Sequence, residues 1–589
     1  MFCSSNLYSQ KNYSFLEHGM PSIYYDDIDS LRKSDRTDTI GSDFKEYKDF
    51  LEINSLGIIG SFINREPNYI NESYFIEPTF LQIDHINGIE NVNFSQKTNS
   101  RFFYSRGSKK EQKFNLNYFQ KIAPKFFFTI YYKSVVAPGF FKNQKTENKN
   151  FEPCIIYKNR FNSYFGLLTY ASQKKLISQN GGLFFVSLLI TNSGIDLTTL
   201  PVNISDGFTS LKSKNINFNQ RFCLKKFNTK DSAKNESQIW LYQKTSLSRS
   251  QNLFTCSKND FFENNYFDST ITNDSSVFDR LNNDVALKYQ TKSIFFRSSS
   301  LGFSNEVFSF NYNSLNRSGA VNSIFIEEEL FSDSLLSAIF YFKKAIDERF
   351  YNGSINIELK ISKDQINNIN FNAEINKVPL NLWMQNQRGN HFYWNLPNSN
   401  ISNNLFNVNW VTRYFVIGFK NTNYQKIVII NDSLLPETIE TAGTRRLSFI
   451  TNYSKGRFDF LLKGQYYFLK GANIFGLPKY DAFGKISYHR SFFKKALSFN
   501  TSITCYIDEK HFANGFMPGL NLFYFQKSTK IGGNPILSYD VLATIKKFTL
   551  FLRVDNILNG LMSEQFFDTP HYPMERRIVR IGFMWAFDK

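Results

Sequence analysis

The residue types that most often do chemistry are few in this chain and poorly placed for it. The six histidines, His18, His85, His391, His489, His511 and His571, are scattered and never stand four apart. No helix face therefore brings two imidazoles to one metal ion, and no nucleophile–base spacing is visible. The five cysteines, Cys3, Cys154, Cys223, Cys256 and Cys505, form no CxxC pair. Neither a zinc site nor a disulfide framework is expected from an odd, widely spaced set, and inert free thiols are. Cys505 shares strand parity with Ile503 and Ile507, which favours a buried or lipid-facing thiol, whereas Cys223 shares parity with Asn219, Arg221 and Lys225 on a polar face. Glu327-Glu328-Glu329 could bind calcium or line a constriction, but on a half-polar strand it reads as a solvated face. Gly476 to Gly484-Lys485 has the wrong spacing for a phosphate loop, and no helix follows it. No catalytic residue, metal or cofactor site is expected, and no enzyme.

A second class of polar residue is patterned more regularly. Arg457, Asp459 and Lys463 alternate with Phe458, Phe460 and Leu462; Arg553 and Asp555 alternate with Leu552 and Val554; Arg580 alternates with Val579 and Ile581. On strands, each such set lies on one face. Opposed charges lining a pore set ion and solute preference, so these six residues are the candidate pore lining. Pairing across neighbouring strands is an equally good reading of the same residues.

The elements that must carry them are β-strands. Val579, Ile581, Phe583, Trp585 and Phe587 share one wholly apolar face of the last segment, and Arg580, Gly582, Met584, Ala586 and Asp588 share the other. The same alternation marks Arg457–Phe468, Ala496–Ile507, Phe548–Asn556, Ile355–Ile361 and Ile369–Ile375. A β-sandwich alternates too, but segments of 9–12 residues suit a tilted membrane crossing better than an ordinary sheet. Lipid tolerates no open sheet edge, so the sheet must close. Apolar runs such as Leu183–Ile190 are far short of the roughly 20 residues a spanning helix needs. Asp333–Ile346 is the nearest helical candidate.

Composition agrees. Of 589 residues, 17% are aromatic, including 65 Phe and 32 Tyr, as interfacial girdles require, although an AT-rich genome would inflate the same residues. The net charge of +18 is dispersed without a dense basic block, which argues against nucleic acid and for short basic turns and one wall of a lumen. Basic turns recur at Lys121–Lys125, Lys494-Lys495 and Lys546-Lys547. Longer polar connections are read at Gly139–Asn150, Asp260–Asn283, Pro397–Asn404 and Leu558–Glu575, with Ser528–Pro535 as a loop that unsettles the count. The expected fold is all-β: a leader at 1–50 and a single antiparallel transmembrane barrel at 51–589, with roughly 14–18 strands and no separate plug domain. Met1–Gln10 lacks the basic start and apolar stretch of a complete signal peptide and reads as the tail of one.

The residues also resemble the putative porins of the Bacteroidota outer membrane, from Asp38 to Lys589. The resemblance runs in order through Asp43-Phe44-Lys45-Glu46-Tyr47, Asn54-Ser55-Leu56-Gly57, Phe103-Tyr104-Ser105-Arg106-Gly107 and Asn180-Gly181-Gly182. It continues through Leu477-Pro478, Met517-Pro518 and Ile531-Gly532-Gly533-Asn534-Pro535 to His571-Tyr572-Pro573-Met574 and the last strand. Gln179 stands where an acid is expected. The resemblance implies a non-enzymatic outer-membrane barrel for passive diffusion of small polar solutes, embedded in outer-membrane lipid and lipopolysaccharide. Arg580, Gly582, Trp585 and Phe587 resemble the signal read by the barrel-assembly machinery, which would be a further partner. Arg553-Val554-Asp555-Asn556-Ile557-Leu558 resembles the end of TonB-dependent receptor barrels. That receptor without a recognisable plug, and a surface adhesin or secretion accessory, are the alternative readings.

Overall fold

The computed structural model describes residues 99–159, 163–184, 197–228, 236–257, 260–291, 293, 295–330, 335–346, 348–361, 367–470, 473–562 and 566–588. The leader read at 1–50 and the barrel boundary at 51 lie outside these residues. A single 22-stranded antiparallel sheet closes on itself. In chain order its strands are β1 (Asn99–Gly107), β2 (Gln112–Ala123), β3 (Phe126–Ala137), β4 (Thr146–Lys158), β5 (Tyr164–Gln179), β6 (Gly207–Asn228) and β7 (Glu236–Ser257). Next come β8 (Ile271–Thr291), β9 (Phe296–Tyr312), β10 (Leu315–Leu330), β11 (Leu336–Ala345), β12 (Tyr351–Lys360), β13 (Asn368–Pro379), β14 (Asn400–Val411) and β15 (Phe415–Ile430). The last are β16 (Pro436–Lys455), β17 (Phe458–Lys470), β18 (Tyr480–Phe492), β19 (Leu497–Asp508), β20 (Ile536–Ile545), β21 (Phe548–Asp555) and β22 (Ile578–Asp588). Each strand pairs with its neighbours in sequence, and β22 closes the ring on β1, from Asn99↔Asp588 to Gly107↔Arg580.

Alternation decides which way each side chain points. Ile581 is 59% exposed on the outer face, whereas Ile156 and Phe310 are fully buried on the inner one. The outer face is a belt of exposed Leu, Ile, Phe and Trp, which only lipid can cover favourably. Gly582 faces inward at the closing seam, where a Cβ would lie 2.2 Å from the Tyr104 carbonyl oxygen and 2.6 Å from the Phe551 ring. Its hydrogen lets Phe103 and Phe551 stack at 5.5 Å behind it.

The strand count exceeds the expected 14–18, and the reason is visible in β6, β7 and β8, which run 22, 22 and 21 residues. A tilted crossing needs only about 9–11. The surplus projects past the apolar belt at one end, where water meets the outer face, and there both faces are polar. Asn273 and Ser275 are exposed on the outside of β8, and Arg249 pairs with Asp279 at 3.5 Å. Without alternation such stretches read as loops. Asp260–Asn283 therefore contains the first half of β8, Gly139–Asn150 the start of β4, and Pro397–Asn404 the start of β14. The helical candidate at Asp333–Ile346 is strand β11 over its described part, and Ser528–Pro535 is indeed a connection.

Connections at the two ends differ sharply. One end carries tight turns such as Pro124–Lys125, Gly456–Arg457 and Lys546–Lys547; the other carries the long connections between β5 and β6, β13 and β14, β19 and β20, and β21 and β22. Among the described residues the only α-helix is α1 (Leu382–Gln385), and no helix is long and apolar enough to cross a membrane.

Candidate permeation path

Three features meet in the bore: a charge cluster at the seam, a basic wall, and a set of infolded loops. The seam cluster grows from one register row. Ser502, Asp540, Arg553 and Arg580 are successive cross-strand partners on β19, β20, β21 and β22. Two arginines directly opposite each other repel, so carboxylates must intervene. Asp555 pairs with both Arg553, at 2.5 Å, and Arg580. Asp540 lies 3.7 Å from Arg553 and accepts from the Ser502 hydroxyl at 3.0 Å. Glu111, from the β1–β2 connection, accepts two bonds from the Arg580 guanidinium, each 2.8 Å, and Glu575 from the β21–β22 loop adds a third carboxylate at 2.5 Å. Arg553 and Arg580 are 2% and 4% exposed, so the row is a buried clasp across the closing seam and not a solvated pore wall.

The other three predicted residues lie apart from it. Asp459 and Lys463 face the bore on β17, half-buried, with Asp459 3.3 Å from His489 and the Lys463 ammonium 5.8 Å from the Phe483 ring. Arg457 sits exposed in the β16–β17 turn beside β18, its carbonyl accepting from the His489 N–H at 2.9 Å. Lys420, Arg446 and Lys485 also face the bore and are half-buried, and Lys420 is the cross-strand partner of Arg446. With Lys463 they give β15–β18 a basic wall. The sequence signal was available, since Lys420 follows outward Phe419, Arg446 precedes outward Leu447, and Lys485 precedes outward Ile486. Glu327, read as solvated, is instead 1% exposed and lies 3.7 Å from Lys288. Cys223 faces inward against an aromatic cluster that includes Trp240 and Phe165, and Cys505 faces lipid.

At the loop end the bore is crossed. The hairpin of Gly515–Met517 with Leu522–Tyr524, in the β19–β20 connection, carries Asn521 to the opposite wall. There Asn521 accepts from Thr209 at 3.1 Å and Gln179 at 3.4 Å, and donates to Asn252 at 3.2 Å. Phe525 anchors the same loop by donating its N–H to Ile430 at 2.8 Å. The β13–β14 loop packs α1 onto β8 and β9: the Trp383 indole donates to Ser276 at 2.9 Å, and Gln387 donates to the Tyr312 hydroxyl at 2.6 Å. Phe516 meets Tyr572 from the β21–β22 loop at 6.0 Å, and burial pushes the Tyr572 phenol up.

In the β13–β14 loop, His391 stacks on Phe262 at 3.8 Å. Its Nδ1 donates to the Asn264 carbonyl at 2.8 Å, so Nε2 accepts from Thr272 at 2.7 Å. Burial holds this imidazole below the usual histidine range. Among the described residues no His, Cys, Asp and Glu group could hold a metal ion.

A family profile described as putative porin matches residues 24–588. The chain belongs to that family. No curated protein matches the sequence. The fold of this putative porin is shared with solved siderophore receptors. The ferric preacinetobactin receptor of Acinetobacter baumannii has 9% identity and a TM-score of 0.55, covering 84% of this chain and 80% of its own. The ferric enterobactin receptor of Pseudomonas aeruginosa has 9% identity and a TM-score of 0.57, with 84% and 82% covered. The siderophore receptor PiuA of Acinetobacter baumannii has 9% identity and a TM-score of 0.56, with 85% of each chain covered. At such identity the likeness is one of fold: an outer-membrane β-barrel.

Proposed function

We propose that this putative porin is an outer-membrane channel for passive diffusion of small polar solutes, gated at its loop end. The observation that carries this is the pairing of a basic, half-buried wall on β15–β18 with a hairpin that crosses the bore through Asn521. Side-chain amide and hydroxyl bonds, which water can replace at a net cost on the order of 1 kcal/mol each, share that crossing with buried Phe516, Met517 and Leu520, so opening must also expose apolar surface. Openings of the intact chain are therefore rare, and the hairpin is the element that limits them. Long loops on the outside and short turns toward the periplasm is the usual barrel orientation, which places the gate at the cell surface.

A receptor-type barrel is the second reading. Twenty-two strands is the size of plugged outer-membrane transporters, whereas open porins have 16–18, and the solved structures sharing this fold are siderophore receptors. Planar-bilayer recording separates the two. For a gated channel, the full chain gives sparse openings, and replacing residues 513–526 with a short Gly-Ser linker raises open probability at least about tenfold. If neither protein conducts while both retain a ferric siderophore, the receptor reading stands and the channel is lost.

A further inference from the structure

The outer face carries a feature that solute passage does not use. Along β18 the outward residues run Ala482, Gly484, Ile486, Tyr488 and Arg490. At Gly484 an added Cβ would meet nothing within 4 Å. This leaves a dent of about 330 Å³ on the lipid face, walled by Leu462, Ile486, Ile503, Cys505, Tyr453 and Phe460. The dent is almost wholly apolar. Toward the tight-turn end the same face changes character. Phe458 packs against Tyr488 at 5.2 Å, the Arg490 guanidinium lies 4.9 Å from the Phe492 ring, and exposed Arg457, whose carbonyl accepts from the His489 N–H at 2.9 Å, stands beside it across the turn. Two exposed arginines thus stand on neighbouring strands at the rim of this face. Lys455, Lys494 and Lys495 are exposed on the adjoining turns, while Asp459 turns away into the bore toward His489.

From Gly484 to Arg490 is six residues, or roughly 20 Å at 3.3 Å per residue along a strand. Strand tilt shortens this to about the depth of one leaflet of a 30 Å hydrocarbon core. An arginine pair at headgroup level, an aromatic below it and a slot one acyl chain deeper match a single molecule. We propose that this groove binds an anionic glycerophospholipid of the leaflet at the tight-turn end, its phosphate on Arg457 and Arg490 and one acyl chain in the dent at Gly484. The charge of the rim selects the headgroup, and the missing side chain makes room for the tail. The proposal rests on the barrel lying in a membrane, not on what passes through it.

The test is native mass spectrometry of the full chain in detergent, titrated separately with phosphatidylglycerol, phosphatidylcholine and lipopolysaccharide. Phosphatidylglycerol should bind with a preference over phosphatidylcholine that falls by about fivefold for each arginine neutralised in R457Q and R490Q. G484L, which fills the dent without backbone strain, should weaken both phospholipids together. A preference that survives in the R457Q/R490Q double variant, or phospholipid binding unchanged in G484L, overturns the proposal. Lipopolysaccharide bound in place of phosphatidylglycerol overturns it as well. Heat-modified gel mobility of each variant, unchanged from wild type, separates lost binding from a lost fold.

Discussion

Arg580 shows how one residue can be read correctly as polar and inward yet have its use decided by neighbours. Its alternation with Val579 and Ile581 places it inside the barrel, but its three carboxylate partners come from Glu111, Asp555 and Glu575, far apart in sequence. Together they tie the β1–β2 connection, β21 and the last loop across the seam where the ring closes. Removing the cation leaves Glu111 and Glu575 uncompensated and Asp555 with Arg553 alone. R580A should therefore cost about 3–5 kcal/mol, whereas an isolated exposed pair is worth at most about 1 kcal/mol. The loss is read as a lowered midpoint of urea unfolding in detergent micelles. R580K keeps the charge but not the two-toothed bond to Glu111, so it should recover part of that loss. An R580A midpoint equal to wild type would mean that the seam is held by backbone pairing alone.

Elements were legible in proportion to how much of them lipid covers. Phe458–Lys470, Leu497–Asp508, Phe548–Asp555 and Ile578–Asp588 lie within a few residues of their expected spans because their outer faces are continuously apolar. The projecting halves of β6, β7 and β8 were not legible, since water on both sides removes the alternation that marks a strand. Of the candidate site, the inward direction of Arg553, Asp555, Arg580, Asp459 and Lys463 was legible. That three of them form a buried clasp was not, because Glu111 and Glu575 come from connections with no periodicity. The infolded loops carry the same lesson, and His391 makes them testable. Its neutral ring bridges two loops by stacking on Phe262 and bonding Asn264 and Thr272. A histidine held below its usual value of about 6.5 stabilises the fold fully above that pH and loses its contribution as pH falls through the lowered value. Protection of the Phe261–Tyr266 amides, taken relative to their intrinsic exchange at each pH, should therefore fall between pH 7.5 and pH 5, approximate bounds set by the histidine range. In H391Q the same segment should exchange faster at pH 7.5 and lose most of its pH dependence. An equal fall in protection in H391Q would assign the effect to Asp268 or Asp274 instead.

At the scale of the whole molecule, net charge matters less than where the charge faces the bore. Much of the +18 sits on turns such as Lys494-Lys495 and Lys546-Lys547, where it meets headgroups and bulk water and acts little on a permeating ion. The seam cluster is buried and compensated by its own carboxylates. What remains to act on a solute is the wall of Lys420, Arg446, Lys463 and Lys485, half-buried on four adjacent strands and facing the bore, where these four cations outnumber the Asp459 and Asp481 carboxylates on the same strands. A low-dielectric wall focuses such a field into the lumen, so anions should concentrate there. In a salt gradient, the channel freed of its crossing hairpin should show a reversal potential on the anion side. K463E with K485E should move it to cation preference, a shift that weakens as ionic strength rises and the screening length falls below about 10 Å. R457Q, whose cation lies in the exposed β16–β17 turn, should leave the reversal potential where it was. A reversal potential indifferent to Lys463 and Lys485 would place the selective charge on another sector of the wall.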